Sequence, residues 1–192
     1  FDIESRIYVL GTYGGTRNYL IQNDKLTATD SMYQFLGDPS GELPELTVKE
    51  SVNCRLEGGN TTLKAGDVIL FDVGCIKDGY CSDMTRTFCY KEVTAKNKEI
   101  YDLVLNANRS AIAKIKPGVP LCELDKTARD IITEAGYGEG FNHRLGHFIG
   151  LSEHEFGDVS LTNETKAEPG MIFSIEPGIY LPGDTGVRIE DL

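Results

Sequence analysis

Apolar and polar positions fall into a few recurring patterns along the chain, and each pattern predicts a different element. Val68 to Val73, read VILFDV, is an apolar run of strand character interrupted by one acid, Asp72. Asp78-Gly79 is a hairpin turn signal, and Tyr80 to Phe88 reads as the returning strand. Lys96 to Ile115 places Ile100, Leu103, Val104, Ala107, Ala111 and Ile115 on one helical stripe, which Pro117-Gly118 stops. Leu121 to Ala135 is a second helix, ended by Gly136. Glu168-Pro169-Gly170 turns into a strand over Met171 to Glu176. Leu181 to Asp184 turns the chain again, and Gly186 to Leu192 runs back. Upstream the pattern is weaker. Ser5 to Leu10 fits a short helix or strand, and Gly14-Gly15 is a breaker. Tyr19-Leu20-Ile21 reads as a strand with Asn23-Asp24 as its turn, and residues 38–41 and 58–60 read as loops. Met84, Phe88 and Tyr80 are expected to pack inside.

The acids in these strands carry the first chemical signal. A carboxylate in an apolar strand is costly unless it is paired, hydrogen-bonded or bound to a cation. Centring the first turn on Asp78-Gly79 sets Asp72 opposite Thr85, with Asp83 two positions along on the same face. Centring the second turn on Gly183 sets Glu176 opposite Glu190. Any one inward acid has a plain reading, a salt bridge to Arg86 or Arg188. Two hairpins, each offering a matched pair, point instead to a cation between repelling carboxylates.

All three histidines, His143, His147 and His154, fall within twelve residues, which points to chemistry rather than to scattered core or surface positions. His147 supplies a nitrogen ligand. The spacing of His143 and His147 superficially resembles HExxH, but the glutamate is missing and Gly146 weakens a helix there. Asp72, Asp83, His147, Glu176 and Glu190 therefore form an oxygen-rich set, suited to manganese, cobalt, iron or zinc. Four negative charges balance two divalent ions, which in such centres lie ~3.5–4 Å apart and can share a hydroxide as nucleophile.

Composition narrows the class. The chain has 192 residues, 40% of them apolar and 26% charged, as expected of one soluble domain spanning 1–192. Residues 1–60 form its atypical part. The formal net charge of -11 argues against a nucleic-acid partner, which needs a basic face. No apolar run approaches the ~20 residues of a membrane span. No signal peptide is expected in these opening residues, and a start at Phe1 fits a fragment or trimmed chain. Five cysteines without a CxxC pair, Cys54, Cys75, Cys81, Cys89 and Cys122, read as reduced thiols of a cytoplasmic protein. The spacing of Cys75, Cys81 and Cys89 fits no usual zinc pattern.

Four motifs in order, DVGCIKDGYCSDMTRTF, HRLGHFIGLSEHE, EPGMIFSIEPGIY and GVRIEDL, resemble the pita-bread metallopeptidases: Xaa-Pro dipeptidase (prolidase), aminopeptidase P and methionine aminopeptidase. The resemblance runs from about Leu63 to the end, and HRLGHFIGL and EPGIY look closer to the Xaa-Pro branch. It implies an α+β pita-bread fold, a curved, mostly antiparallel sheet covered by helices, with the metals on its inner face. It also implies roles. Asp72 would chelate one metal and Asp83 bridge both; His147 and Glu176 would each bind one, and Glu190 would bridge. Glu176 would also serve as acid and base, His154 would stabilise the tetrahedral intermediate from the substrate side, and His143 matches another active-site histidine. Arg188 would lie near the substrate's carboxylate. The implied activity is removal of an N-terminal residue from Xaa-Pro dipeptides or peptides by two divalent ions, manganese favoured. The partner is a short peptide, and a homodimer is open. Arg55 stands seventeen residues before Asp72, where the Xaa-Pro branch carries a histidine, and the separate N-terminal domain of prolidases is not expected within these residues. The alternatives on the same fold are a creatinase-like hydrolase that needs no metal, or a binding protein without catalysis.

Overall fold

The apolar run and its turn form the hairpin that the sequence predicts, and the hairpin is longer than its apolar part. In a computed structural model, which describes residues 64–192 in full and the backbone of 18–22, 25–29 and 53–54, ten residues pair with ten. Strand β1 (Asn18–Gln22) pairs antiparallel with β2 (Lys25–Thr29), in line with the expected strand at Tyr19-Leu20-Ile21. Strand β3 (Asn53–Cys54) joins the edge of β4 (Val68–Lys77), which pairs with β5 (Tyr80–Cys89). Asp78 and Gly79 both take positive φ, 52° and 84°, the twist a two-residue hairpin turn requires. Other expectations for residues before 64 fall outside the described residues: Ser5 to Leu10, Gly14-Gly15, the turn at Asn23-Asp24, the two loops and Arg55.

Helix α1 (Ala95–Lys114) starts where the Thr94 hydroxyl accepts the Asn97 amide at 3.0 Å, a side-chain cap for an otherwise orphaned donor. Its stripe of Ile100, Val104, Ala107 and Ala111 is buried; Ile115 lies past the helix and is 36% exposed. Helix α2 (Leu121–Glu134) buries Leu121, Leu124, Ala128 and Ile132 against α1 and ends before Gly136, which takes φ of 87°. The two helices share one core with Phe141, Leu145, Ile175, Ile179, Val187 and Ile189. That core supports, from below, the segments that carry the acids.

The second half is built from short antiparallel ladders. Strand β6 (Gly146–His147) pairs with β7 (Asp158–Val159), and β8 (Gly178–Leu181) pairs with β9 (Thr185–Arg188) around Gly183. The expected strand over Met171 to Glu176 is instead extended chain with isolated bridges, Phe148 to Phe173 and Ile175 to Asp191. Pro177 has no N–H to continue a ladder, and the Glu190 amide turns aside to the Thr85 carbonyl at 3.1 Å. The returning strand therefore ends at Arg188 rather than Leu192. The bridge at Ile175 and Asp191 nevertheless keeps the β8–β9 register, so Glu176 and Glu190 sit just inside it. Two packing expectations do not hold. Tyr80, at the hairpin tip, is 61% exposed, and Met84 is 39% exposed because it alternates with the inward Asp83 and Thr85. Phe88 does pack, edge-on against Phe71 with ring centroids 5.4 Å apart.

Gly146 marks the tightest approach. A Cβ there would lie 1.8 Å from the Ser174 carbonyl oxygen, because the Glu176 amide and the Leu145 carbonyl draw the two segments together at 2.7 Å. Gly146→Ala is expected to destabilise the fold by about 1–3 kcal/mol through overpacking. Urea denaturation checks this, and an unchanged midpoint would contradict the close approach.

Candidate metal centre

Three separate stretches of chain deliver the acids to one place. On the first hairpin Asp72 faces Thr85 and Asp83 faces Gly74, so both carboxylates share a face as the register predicts. Gly74 is required opposite Asp83, since a Cβ there would sit 2.4 Å from the Ser82 carbonyl. Glu190 arrives from the C-terminal segment and is held by the Thr85 hydroxyl, which donates to its Oε2 at 2.7 Å. Beneath it Asn108 of α1 donates to the carbonyls of Ile175 and Ile189, at 2.9 and 3.4 Å, tying together the residues just before Glu176 and Glu190. Arg86 completes the clamp by donating to the Glu190 carbonyl and to Asp191, both at 2.6 Å.

His147 closes the cluster. Its Nε2 lies 3.5 Å from Asp83 Oδ2, 3.6 Å from Glu176 Oε1 and 3.9 Å from Glu190 Oε1. Its Nδ1 is 3.1 Å from the Phe148 carbonyl, which can only accept, so Nδ1 carries the hydrogen and Nε2 is left with a lone pair. That lone pair faces three carboxylate oxygens, an arrangement that needs a proton or a cation in its midst. Glu190 Oε1 gives the same signal: it is buried and has no hydrogen-bond partner. Asp83, His147 and Glu190 offer ligand atoms all within 4.8 Å of one another. Glu176 adjoins through His147, and Asp72 through Asp83. The donor set and the orphaned oxygen thus fit divalent cations.

Protonation reports the same strain. Burial, with the Glu176 and Asp83 charges, pushes the Glu190 carboxyl up to about 8. Burial also raises Glu176, against the pull of His147 and Arg188. Asp72 is raised by burial although Arg188 opposes it from 2.5 Å. For His147 burial works against the charged form, but the hydrogen bond to Asp83 and the Glu176 charge outweigh it and raise the imidazole.

The remaining candidates line a cavity of about 560 Å³ beside the acids, formed by His143, Arg144, His154, Glu176, Tyr180 and Arg188. His154 lies edge-on to His147, ring centroids 4.1 Å apart, and burial together with His147 lowers it. Burial likewise lowers His143. Arg188 donates from Nη2 to Asp72, from Nη1 to the Tyr180 hydroxyl at 2.8 Å and from Nε to the Thr85 hydroxyl at 3.1 Å. All eight residues singled out in the sequence thus fall in or beside one site. Sequence reasoning missed Thr85, Ser174 and Tyr180. Ser174 takes the His147 amide at 3.0 Å and donates to Glu176 at 3.1 Å. The signal for Thr85 was its place opposite Asp72; nothing in the pattern marked the other two.

A profile of metallopeptidase family M24 matches residues 47–192. The chain is 57% identical over 133 residues to a protein of Staphylococcus saprophyticus described as an uncharacterized peptidase, an overlap of 69% of this chain and 38% of that relative. Among solved structures it is similar to the prolidase of Pyrococcus furiosus, at 44% identity and TM-score 0.68, covering 69% of this chain and 40% of that one. It is also similar to an Xaa-Pro dipeptidase of Bacillus anthracis, at 47% identity and TM-score 0.67, covering 69% and 38%. The chain thus spans about two-fifths of the length of the relatives it matches.

A carboxyl raised on folding binds its proton more tightly in the folded than in the unfolded chain. Stability of the metal-free protein is therefore expected to fall as pH rises from the ordinary histidine range to about 8, the level of Glu190, with His147, also raised, adding in the same direction; below that range His143 and His154, lowered by burial, contribute in the opposite sense. Added divalent cation is expected to reverse the trend, because it binds the deprotonated groups. Thermal melts across pH, with and without Mn²⁺, check this; a metal-free protein that gains stability over that range would contradict the cluster.

Proposed function

The chain belongs to metallopeptidase family M24, shares the pita-bread fold of that family's prolidases, and from that premise we infer that it carries the metal centre of a two-metal exopeptidase. The reaction would be hydrolysis of the N-terminal peptide bond of a short peptide, with Xaa-Pro dipeptides or peptides as the first candidates. The observation that carries this reading is Glu190 Oε1, buried and unpartnered among Asp83, His147 and Glu176. In this reading Asp72, Asp83, His147, Glu176 and Glu190 would together hold the ions. When bound, two divalent ions, manganese first among them, would offset the four carboxylates, polarise the scissile carbonyl and make a hydroxide available near neutral pH.

The chain's own residues supply the rest. Glu176 has one oxygen within reach of the Ser174 hydroxyl and the other 3.9 Å from Arg188, and burial favours its protonated form. It is therefore suited to take a proton from the attacking water and return it to the leaving amine. His154 stands on the cavity side of His147, where an N–H can stabilise an oxyanion as the carbonyl becomes tetrahedral. Arg188 uses three of its five N–H groups on Asp72, Tyr180 and Thr85, which leaves two for a substrate carboxylate in the same cavity. His143 lines the same cavity. Among the described residues the thiols of Cys75, Cys81, Cys89 and Cys122 are free, which fits a reducing compartment such as the cytoplasm. No helix among the described residues is long and apolar enough to cross a membrane.

The purified chain is expected to cleave an Xaa-Pro dipeptide once Mn²⁺ or Co²⁺ is added. Asp83→Asn should abolish that cleavage while leaving the fold intact by circular dichroism. Cleavage that survives the substitution, or that needs no metal, would contradict the mechanism.

A further inference from the structure

Helix α2 carries a charge pair, a buried Asp125 and a half-buried Arg129, that the proposed chemistry does not use. Asp125 is fully buried and accepts three hydrogen bonds: from Arg129 Nε at 2.7 Å, Arg129 Nη2 at 3.1 Å and the Leu145 amide at 2.9 Å. Arg129 in turn donates to the carbonyls of Phe141 and His143, both at 2.8 Å, and its guanidinium lies 4.1 Å over the Phe141 ring. The pair thus fixes three backbone groups within residues 141–145, a stretch that lies outside any helix or strand. A buried ion pair adds little net stability over an apolar pair of the same volume. What an apolar pair cannot do is aim a loop.

The loop it aims carries His143 and leads directly into His147. The Leu145 peptide is held at both ends, its N–H by Asp125 and its carbonyl by the Glu176 amide at 2.7 Å. The His143 ring lies between Phe141 and Tyr180, centroids 5.0 and 5.6 Å away, and its Nδ1 is 2.7 Å from the Arg144 carbonyl. Because a carbonyl only accepts, Nδ1 bears the hydrogen. Nε2 then carries a lone pair, and it is buried with no partner among the described residues. An orphaned acceptor in the wall of a substrate cavity awaits a donor.

We propose that the Asp125–Arg129 pair is a positioning device for His143: it holds the 141–145 backbone so that Nδ1–H stays on the Arg144 carbonyl and Nε2 accepts an N–H or O–H from the bound peptide. The role rests on the peptidase reading for its substrate, but the ring's tautomer can be read without any substrate. Nitrogen NMR of histidine-labelled chain, with His143 assigned by its loss in His143→Gln, should give the Nδ1–H form. Arg129→Lys keeps the charge but cannot span both carbonyls and Asp125, so the tautomers should mix. Its kcat/KM on an Xaa-Pro dipeptide should then drop about tenfold to a hundredfold, as for supporting residues around a site. Mn²⁺ affinity by calorimetry should stay at the wild-type level. If Arg129→Lys does not fold, Asp125→Asn/Arg129→Gln carries the same expectation. An Nε2–H form in the wild type, or an unchanged tautomer and kcat/KM in the folded variant, would overturn the proposal. A wild type that cleaves no Xaa-Pro peptide would sink the peptidase reading alone, with the tautomer shift still deciding this one.

Discussion

Everything in this protein answers to one electrostatic constraint: Asp83, Glu176, Glu190 and the lone pair of His147 are held within about 4 Å contacts in a largely buried space, with Asp72 alongside. Left bare, such a group repels itself and pushes its members toward protonation, which is what burial and neighbouring charge do to Glu190. A fold that keeps this arrangement must oppose the repulsion with a rigid frame. The frame is visible. Thr85, Asn108 and Arg86 each tie an acid or its backbone to a different element, and Ser174 links Glu176 to the His147 amide. The strain is the condition for cation affinity, since a site relaxed in its metal-free state would have less to gain on binding.

The frame also explains why the site sits between two kinds of structure. The long β4–β5 hairpin gives a fixed face for Asp72 and Asp83. The short, interrupted ladders of the second half let Glu176, Glu190 and His147 approach from other directions. Pro177 and the diverted Glu190 amide stop the β8–β9 ladder where the acids must turn inward. Helix α1 reaches the site through Asn108 and helix α2 through the Asp125–Arg129 pair, so the helical core and the chemistry are joined by polar contacts rather than by packing alone.

Much of this was legible in the sequence, for definable reasons. Side-chain alternation is strict in a hairpin, so one turn at Asp78-Gly79 was enough to place Asp72 opposite Thr85. The same logic gave the β8–β9 register from Gly183, although it overextended the strand on either side. The gathering of His143, His147 and His154 needed no geometry at all. What stayed hidden depends on long-range contacts. Asn108 looks like one polar position in an amphipathic helix until the Ile175 and Ile189 carbonyls are seen above it. Asp125 and Arg129 read as an ordinary i,i+4 pair on a surface, yet Asp125 is fully buried. Tyr80 and Met84 failed in the opposite sense, because aromatic and sulfur-bearing residues in a strand read as core when one face of that strand is open.

The account stands or falls on cations occupying the space among these acids. The most direct measurement is anomalous X-ray diffraction from crystals of the chain grown with Mn²⁺. It predicts two anomalous peaks ~3.5–4 Å apart, bounded by Asp72, Asp83, His147, Glu176 and Glu190. Crystals with full Mn²⁺ in the surrounding solution and no peak among these five residues would contradict it.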